Sequence, residues 1–188
     1  MAIRRASASP DGGRRGVLRA GSVALLGACG LRRAVAAHVV RPWLAGRPVP
    51  PLDLVDLDGK RWRLDALAGK VVVLNFWATW CEPCRTEMPS LEAMAARRAG
   101  SGVSVLTVNY KEPPEVIRAF LAKLPLKLPI LLDPDGDATF DWTPRVFPST
   151  VLIGRNGQPS QVVLGDLDWS GPEANALLDP LVAAPAKS

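Results

Sequence analysis

Two cysteines three positions apart are the residues of this sequence best suited to do chemistry. Cys81 and Cys84 lie one turn from each other if a helix begins there, so their sulfur atoms can form a disulfide without backbone movement. The start of a helix carries unpaired N–H groups and a partial positive charge, which favour a thiolate on Cys81. We therefore predict that Cys81 attacks a substrate disulfide and that Cys84 resolves the mixed disulfide.

Other uses of this cysteine pair need residues that the sequence does not supply. A zinc site usually has four ligands, whereas this chain has one such pair and a single histidine, His38, which we expect at the surface. A structural disulfide that closes a loop of two residues would restrict the unfolded chain very little. Redox chemistry is therefore the favoured interpretation, and we predict no metal site.

A strand and a helix are predicted to hold the pair. Residues 71–76 form an apolar, β-branched run that is typical of a strand buried on both faces. A near-helical spacing of apolar residues then extends from Cys81 to Arg98. The pair thus sits where a buried strand meets a helix, which is the usual context of a redox-active Cys-x-x-Cys motif.

The rest of the pattern predicts an α/β fold, with a mixed central sheet flanked by helices. A β-hairpin precedes the buried strand, and a second hairpin turns at Asn156-Gly157. Strands that alternate with helices imply parallel pairing between the hairpins. The predicted strands cover residues 52–57, 62–64, 71–76, 103–108, 130–132, 149–153 and 162–164, and the predicted helices cover 81–98, 113–124 and 173–182.

The segment around the cysteines resembles a known family. Residues 75–89, which run from Asn-Phe-Trp through Trp-Cys-Glu-Pro-Cys to Glu-Met-Pro, are similar to the active-site segment of the TlpA/ResA/CcmG-like thioredoxin-fold proteins. The first hairpin, Gly69-Lys70 and the run Phe147-Pro148-Ser149-Thr150 fit the same family. The resemblance spans residues 47 to 185.

This resemblance implies a fold, an activity and site residues. It implies a thioredoxin fold with an N-terminal β-hairpin extension, and reduction of disulfides in exported proteins such as apocytochrome c, with no cofactor beyond the dithiol. Electrons would come from a membrane protein or from another exported thioredoxin-like protein. By position, Cys81 and Cys84 are the redox pair, Pro148 is a cis-proline that faces them, and Glu87 is an acidic residue near the active site.

Residues around the dithiol are predicted to handle protons and to bind substrate. Glu87 shares a helix face with Cys84, and burial of that face would raise the pKa of Glu87 and let it exchange protons with Cys84. Trp80 is expected to pack, to shield the disulfide and to offer substrate a flat surface beside Phe147 and Pro148. Thioredoxin has a buried Asp where this chain has Asn75, so proton handling at that position must move elsewhere or vanish.

The positive charge of the chain lies in its first 36 residues. The formal net charge is +5, but this segment holds seven arginines and one acid, and residues 37–188 carry 16 basic and 17 acidic side chains. The charge therefore gives no argument for nucleic-acid binding. Arg14 and Arg15 precede a short apolar stretch, a pattern that resembles a twin-arginine export signal and is too short to span a bilayer comfortably.

Two processing sites compete within this leader. Leu26-Gly27-Ala28-Cys29 resembles a lipoprotein box, which would leave a lipidated Cys29 as a membrane attachment. Ala34-Val35-Ala36 resembles a cleavage site that would discard Cys29. Both alternatives stay open. We predict an export signal over residues 1–36, a linker over 37–50, a thioredoxin-like domain over 51–185 and a periplasmic or other extracytoplasmic location.

Four other functions compete with disulfide reduction. A disulfide oxidant would use the same dithiol in the opposite direction. A peroxiredoxin-type peroxidase needs a threonine three residues before its cysteine, where this chain has Ala78. Copper chaperones on this fold generally add a downstream histidine, and none follows His38. A binding module without activity would not need an intact cysteine pair.

Overall fold

The computed structural model describes residues 38–185, which form a six-stranded mixed sheet with helices on both faces and a separate two-stranded hairpin. The predictions about Arg14, Arg15, Cys29 and Ala36 concern residues outside this range. The strands are β1 His38–Pro42, β2 Asp53–Val55, β3 Arg61–Arg63, β4 Val71–Trp77, β5 Val103–Tyr110, β6 Ile130–Asp133, β7 Ser149–Ile153 and β8 Pro159–Gly165. The helices are α1 Glu82–Arg98, α2 Pro114–Leu121, α3 Asp137–Trp142 and α4 Pro172–Ala183.

The sheet combines parallel and antiparallel pairing in the order β1-β8-β7-β4-β5-β6. Strand β4 runs parallel to β5, and β5 runs parallel to β6, because α1 and α2 return the chain to the same end of the sheet. Strands β7 and β8 form the antiparallel hairpin at Asn156-Gly157, and β7 pairs with β4. The predicted α/β architecture with a mixed sheet is confirmed.

Strand β4 forms the rigid base of the site. All seven of its residues are buried, and their side chains alternate between two apolar cores. Val73 and Trp77 pack with buried residues of α1, α2 and α4, whereas Leu74 and Phe76 pack with α3 and the hairpin. Each such side chain contributes about 1.5–3 kcal/mol when fully buried, so the end of β4 is firmly fixed.

The N-terminal hairpin of β2 and β3 is organised by a buried aspartate. One oxygen of Asp56 accepts hydrogen bonds from the backbone N–H groups of Asp58 and Lys60, and the other accepts from Trp62 Nε1 at 2.7 Å. Burial alone would raise the pKa of Asp56, but these hydrogen bonds outweigh it and hold the pKa below its ordinary value. A bridge between Asp56 and Leu131 attaches the hairpin to β6.

Strand β1 lies inside the segment that the sequence predicted as a linker. Residues 38–42 pair antiparallel with β8, from His38 opposite Gly165 to Pro42 opposite Gln161. The expectation that His38 lies at the surface is wrong. Its side chain is 7% exposed, and Nε2 lies 2.9 Å from Glu173 Oε1, because pairing with β8 places the ring beside the first turn of α4.

Helix α3 was also not predicted. Its first turn is capped by the buried Asp133, whose carboxylate accepts bonds from the N–H groups of Ala138 and Thr139, and Trp142 at its end is fully buried. Helix α4 runs through Pro180 and covers the predicted residues 173–182. Within residues 38–185, none of the helices is both long and apolar enough to cross a membrane.

Candidate active site

The two cysteines lie at the start of α1, directly after β4. A turn closed by a 3.2 Å hydrogen bond from Cys81 N–H to the carbonyl of Ala78 joins the strand to the helix. Cys81 is the N-cap residue, its sulfur accepts from Cys84 N–H at 3.3 Å, and the two sulfurs form a disulfide. Cys81 is 5% exposed and Cys84 is 0% exposed, so Cys81 is the sulfur that an incoming molecule can reach.

The helix start favours negative charge on Cys81. The backbone N–H groups of the first turn point toward it, and Pro83 occupies a first-turn position where its missing N–H costs nothing. Glu82, the residue after Cys81, carries a negative charge that opposes a thiolate there. It is exposed and its carboxylate lies 2.8 Å from the guanidinium of Arg85, which offsets part of its charge.

Glu87 lies buried one turn beyond Cys84, on the helix face that the spacing indicated. It is 3% exposed. Its Oε1 accepts from Asn75 Nδ2 at 2.7 Å, and its Oε2 accepts from Trp169 Nε1 at 3.2 Å and from Leu167 N–H at 3.4 Å. Burial raises the pKa of Glu87 to about 7; these three hydrogen bonds oppose the rise, and the charge of Asp166 adds to it. Glu87 therefore titrates near neutral pH.

Asn75 links Glu87 to the sheet. Its Nδ2 donates to Glu87 and also to Thr150 Oγ1 at 3.0 Å, and within the described residues its Oδ1 has no partner. The Asn75 side chain does not titrate, but it donates a hydrogen bond to Glu87, which does. The proton-handling group of this site is thus on α1 and not on β4.

The loop before β7 brings aromatic side chains toward the dithiol. The Phe147–Pro148 peptide bond is cis, which confirms that part of the prediction. The ring of Phe147 lies between Trp80, at 5.7 Å in an edge-on arrangement, and Tyr110, at 5.2 Å. Trp80 was expected to pack, but it is 63% exposed, and Trp77 is the fully buried one. Phe147 and Trp80 thus meet at the surface beside Cys81.

Three residues of this region were not identified from the sequence. Tyr110 is the last residue of β5, and the carboxyl ends of the parallel strands β4 and β5 lie side by side. Its position near the dithiol could therefore have been inferred from the parallel pairing. Trp169 and Leu167 reach Glu87 from the segment after β8, some 80 residues further along, and no local pattern indicates that contact. Across residues 38–185, no group of three or more His, Cys, Asp or Glu residues is arranged to hold a metal ion.

A Cys-x-x-Cys pair at the N-terminus of a helix that directly follows a buried strand is typical of thiol–disulfide oxidoreductases. The chain belongs to the AhpC/TSA family, whose model matches residues 45–158. It is 35% identical over 122 residues to the thiol-disulfide oxidoreductase ResA of Geobacillus kaustophilus, an alignment that covers 65% of this chain and 70% of that protein. The ResA protein of Bacillus subtilis is 34% identical over 125 residues, with 66% and 70% covered.

The solved structures agree with this assignment. A thiol:disulfide interchange protein DsbE from Chlorobium tepidum superposes with a TM-score of 0.66 and 28% identity, over 71% of this chain and 94% of that chain. The thioredoxin-type fold and the resemblance to ResA-like proteins are confirmed. The chain is therefore a thiol–disulfide oxidoreductase of thioredoxin fold.

Proposed function

We propose that this protein reduces disulfides in exported proteins, with apocytochrome c as one such substrate, through Cys81 and Cys84. The observation that carries the proposal is the buried Glu87 one turn beyond Cys84, with its pKa raised to about 7. A buried resolving thiol must lose its proton before it can attack, and a carboxylate with this pKa can accept that proton at neutral pH.

The exchange proceeds in two steps. The Cys81 thiolate attacks one sulfur of the substrate disulfide, the substrate S–S bond breaks, and the second substrate sulfur leaves as a thiolate that takes up a proton. Cys84 then gives its proton to Glu87 and attacks the sulfur of Cys81, which breaks the mixed disulfide and releases the reduced substrate. Two electrons have passed to the substrate, and the Cys81–Cys84 disulfide remains for a membrane or exported dithiol donor to reduce.

The surface beside Cys81 suits a peptide that carries a cysteine. Trp80 and Phe147 offer adjoining aromatic faces, and Pro148 has no N–H that would need a partner when a substrate chain covers it. We assign these three residues to substrate binding. Apolar or aromatic side chains next to the substrate cysteine would pack on the two rings.

The leader forms part of the proposal. The arginine pair and short apolar stretch support an export signal over residues 1–36, and we propose that the protein acts outside the cytoplasm. The folded domain extends N-terminally of residue 51, since β1 pairs with β8. Whether Cys29 is lipidated or removed with the leader is decided by mass spectrometry of the mature N-terminus.

A trapping experiment tests the function. Cys84→Ala leaves the Cys81 thiol without its resolving partner, so it should accumulate a mixed disulfide with the physiological substrate, whereas the matched Cys81→Ala variant should trap nothing. The wild-type protein should also catalyse reduction of insulin by dithiothreitol. Equal trapping by both variants, or no catalysis by the wild type, would contradict the proposal.

The nearest alternative is a disulfide oxidant, which would use the same two sulfurs. Titration against a glutathione or dithiothreitol buffer separates the two directions. A reductase should have a midpoint potential close to that of thioredoxin, about −270 mV, whereas a strong oxidant should have one of about −120 mV. A copper chaperone that uses the cysteine pair would instead retain one metal ion per chain after reduction and dialysis.

A further inference from the structure

A carboxylate from the end of the neighbouring strand holds the turn that precedes Cys81. Glu112 follows β5, and its Oε2 accepts the backbone N–H of Thr79 at 2.6 Å while its Oε1 accepts the Thr79 hydroxyl at 2.5 Å. Both bonds are short and charge-assisted, which places them among the stronger hydrogen bonds of proteins. Thr79 is thus held at two points by one side chain.

The turn that Glu112 holds is the one that presents the reactive sulfur. It runs from Ala78 to Cys81, closed by the 3.2 Å bond between the two ends, with Thr79 and Trp80 at its centre. Movement of Thr79 would therefore shift both the exposed ring of Trp80 and the position of Cys81 at the helix start. Attack on a disulfide needs the three sulfurs in line, so small displacements of this turn have large effects on rate.

The side-chain amide of a buried asparagine donates a hydrogen bond to the Glu112 carboxylate. Asn109 of β5 is 1% exposed, and its Nδ2 donates to Glu112 Oε2 at 2.8 Å. Within the described part of the chain, its Oδ1 has no hydrogen-bond partner. A buried amide oxygen without a partner is unfavourable. The Asn109 side chain thus bonds Glu112 through Nδ2 while its Oδ1 stays unpaired.

The backbone before Glu112 adopts a conformation that side chains rarely accept. Lys111 has φ of 58°, and among the described residues only Arg145 shares such a positive φ without being glycine. Lys111 N–H donates to the carbonyl of Asp133 at 3.0 Å, which holds this conformation in place. Left-handed backbone at a non-glycine residue is unfavourable and concentrates at functional sites. Here it lies directly before Glu112, the residue that reaches Thr79.

From these contacts we infer that Glu112 is a positioning residue for the dithiol: it fixes the turn from Ala78 to Cys81 and keeps a negative charge beside it. The inference rests on the proposed role of Cys81 as nucleophile. The fixed turn favours reaction with a docked protein disulfide. The charge disfavours the Cys81 thiolate. Loss of Glu112 should therefore change two measured rates in opposite directions.

The test compares Glu112→Ala with Glu115→Ala, which removes the same charge from an exposed position on α2. In the reduced Glu112→Ala protein, alkylation of Cys81 by iodoacetamide at pH 7 should rise about two- to threefold, because more thiolate is present. The kcat/KM for reduction of a protein disulfide should fall about tenfold, because the turn is no longer fixed. Glu115→Ala should match the wild type in both.

These outcomes separate the competing roles. A role in stability alone would leave alkylation unchanged, and a role of charge alone would raise both rates, so either result overturns the inference. Thr79→Val keeps the charge and the backbone contact but loses the hydroxyl bond. It should leave alkylation unchanged and lower kcat/KM by less than Glu112→Ala does. If Glu112→Ala does not fold, a Thr79→Val protein with wild-type kcat/KM overturns the inference.

Failure of the proposed function would look different. In that case the wild-type protein itself would not reduce protein disulfides, and all variants would be equally inactive. The alkylation comparison does not need that activity. Equal rates in Glu112→Ala and Glu115→Ala would then still overturn the role of Glu112, whereas a faster rate in Glu112→Ala alone would support it.

Discussion

Replacement of Glu87 by glutamine should make the protein more stable at alkaline pH. Burial raises the pKa of Glu87 from its ordinary value of 4.5 to about 7. The stability that the protonated carboxyl contributes is fully present below about pH 4.5 and is lost as the pH rises through 7, because the ionised form must stay buried. The difference between the two pKa values corresponds to about 3 kcal/mol.

The local geometry suits the amide. In Glu87→Gln, the oxygen of the new amide can accept from Trp169 and Leu167, as Glu87 Oε2 does. Its nitrogen would then face Asn75. Rotation of the Asn75 amide would turn Oδ1, which has no partner within the described residues, toward that nitrogen. We therefore expect Glu87→Gln to match the wild type near pH 5 and to exceed its unfolding free energy by about 2–3 kcal/mol at pH 8.5. Urea denaturation of the oxidised proteins across this range measures both curves, with Glu115→Gln as the control.

The same substitution should slow the resolving step. Without a group that accepts the Cys84 proton, resolution of the mixed disulfide should fall about 100-fold at pH 7.5, and the rise in rate with a midpoint near pH 7 should disappear. Alkylation of Cys81 should stay within about twofold of the wild type. Stability curves that remain parallel between pH 5 and 8.5 would refute the assignment of the raised pKa, and an unchanged rate profile would refute the role in proton transfer.

Three further predictions concern the thiols, the potential and the leader. In the reduced protein Cys81 should alkylate faster than Cys84, since Cys81 is 5% exposed and Cys84 is 0% exposed, and peptide mapping that finds equal labelling would contradict the roles. Cys81→Ser should abolish insulin reduction. The midpoint potential should lie toward the reducing end, and Glu82→His should move it toward oxidising values in a dithiothreitol titration, because a positive charge beside Cys81 stabilises the thiolate; no movement, or movement the other way, counts against this. Replacement of Arg14 and Arg15 by lysine should leave precursor in the cytoplasm, as seen by fractionation and immunoblotting, and normal export would indicate another route.

The sequence predicted the part of the fold that local pattern determines. Strand β4 was identified because its continuous apolar, β-branched run is typical of a buried strand, and helix α1 because apolar residues follow the cysteines at near-helical spacing. Asn156-Gly157 identified the second hairpin. Strand β1 was missed because it is short, half exposed and ends in a proline, and the strand it pairs with, β8, lies more than a hundred residues away. Helix α3 was missed because its cap, Asp133, belongs to the preceding strand.

The site shows the same division. Helical spacing placed Glu87 on the face of Cys84, and its burial followed from that face. The hydrogen bonds that Glu87 accepts come from β4 and from the segment after β8, and only the tertiary structure brings these together. Trp80 was predicted both to pack and to offer substrate a flat surface, and in the structure its ring is largely exposed and contacts Phe147.

Strand β1 has a consequence for the solubility of shortened forms of the protein. The sheet has two edges, and the hairpin bridge at Leu131 covers part of β6. At the other edge β1 covers β8, and β1 itself ends in the exposed residues Arg41 and Pro42, which discourage pairing with another molecule. A chain that begins at residue 51 would lose β1 and uncover β8, with Val162, Val163 and Leu164 in its middle. Such a chain would expose an unpaired apolar strand and should aggregate through that edge, whereas a chain that begins at residue 38 should stay monodisperse.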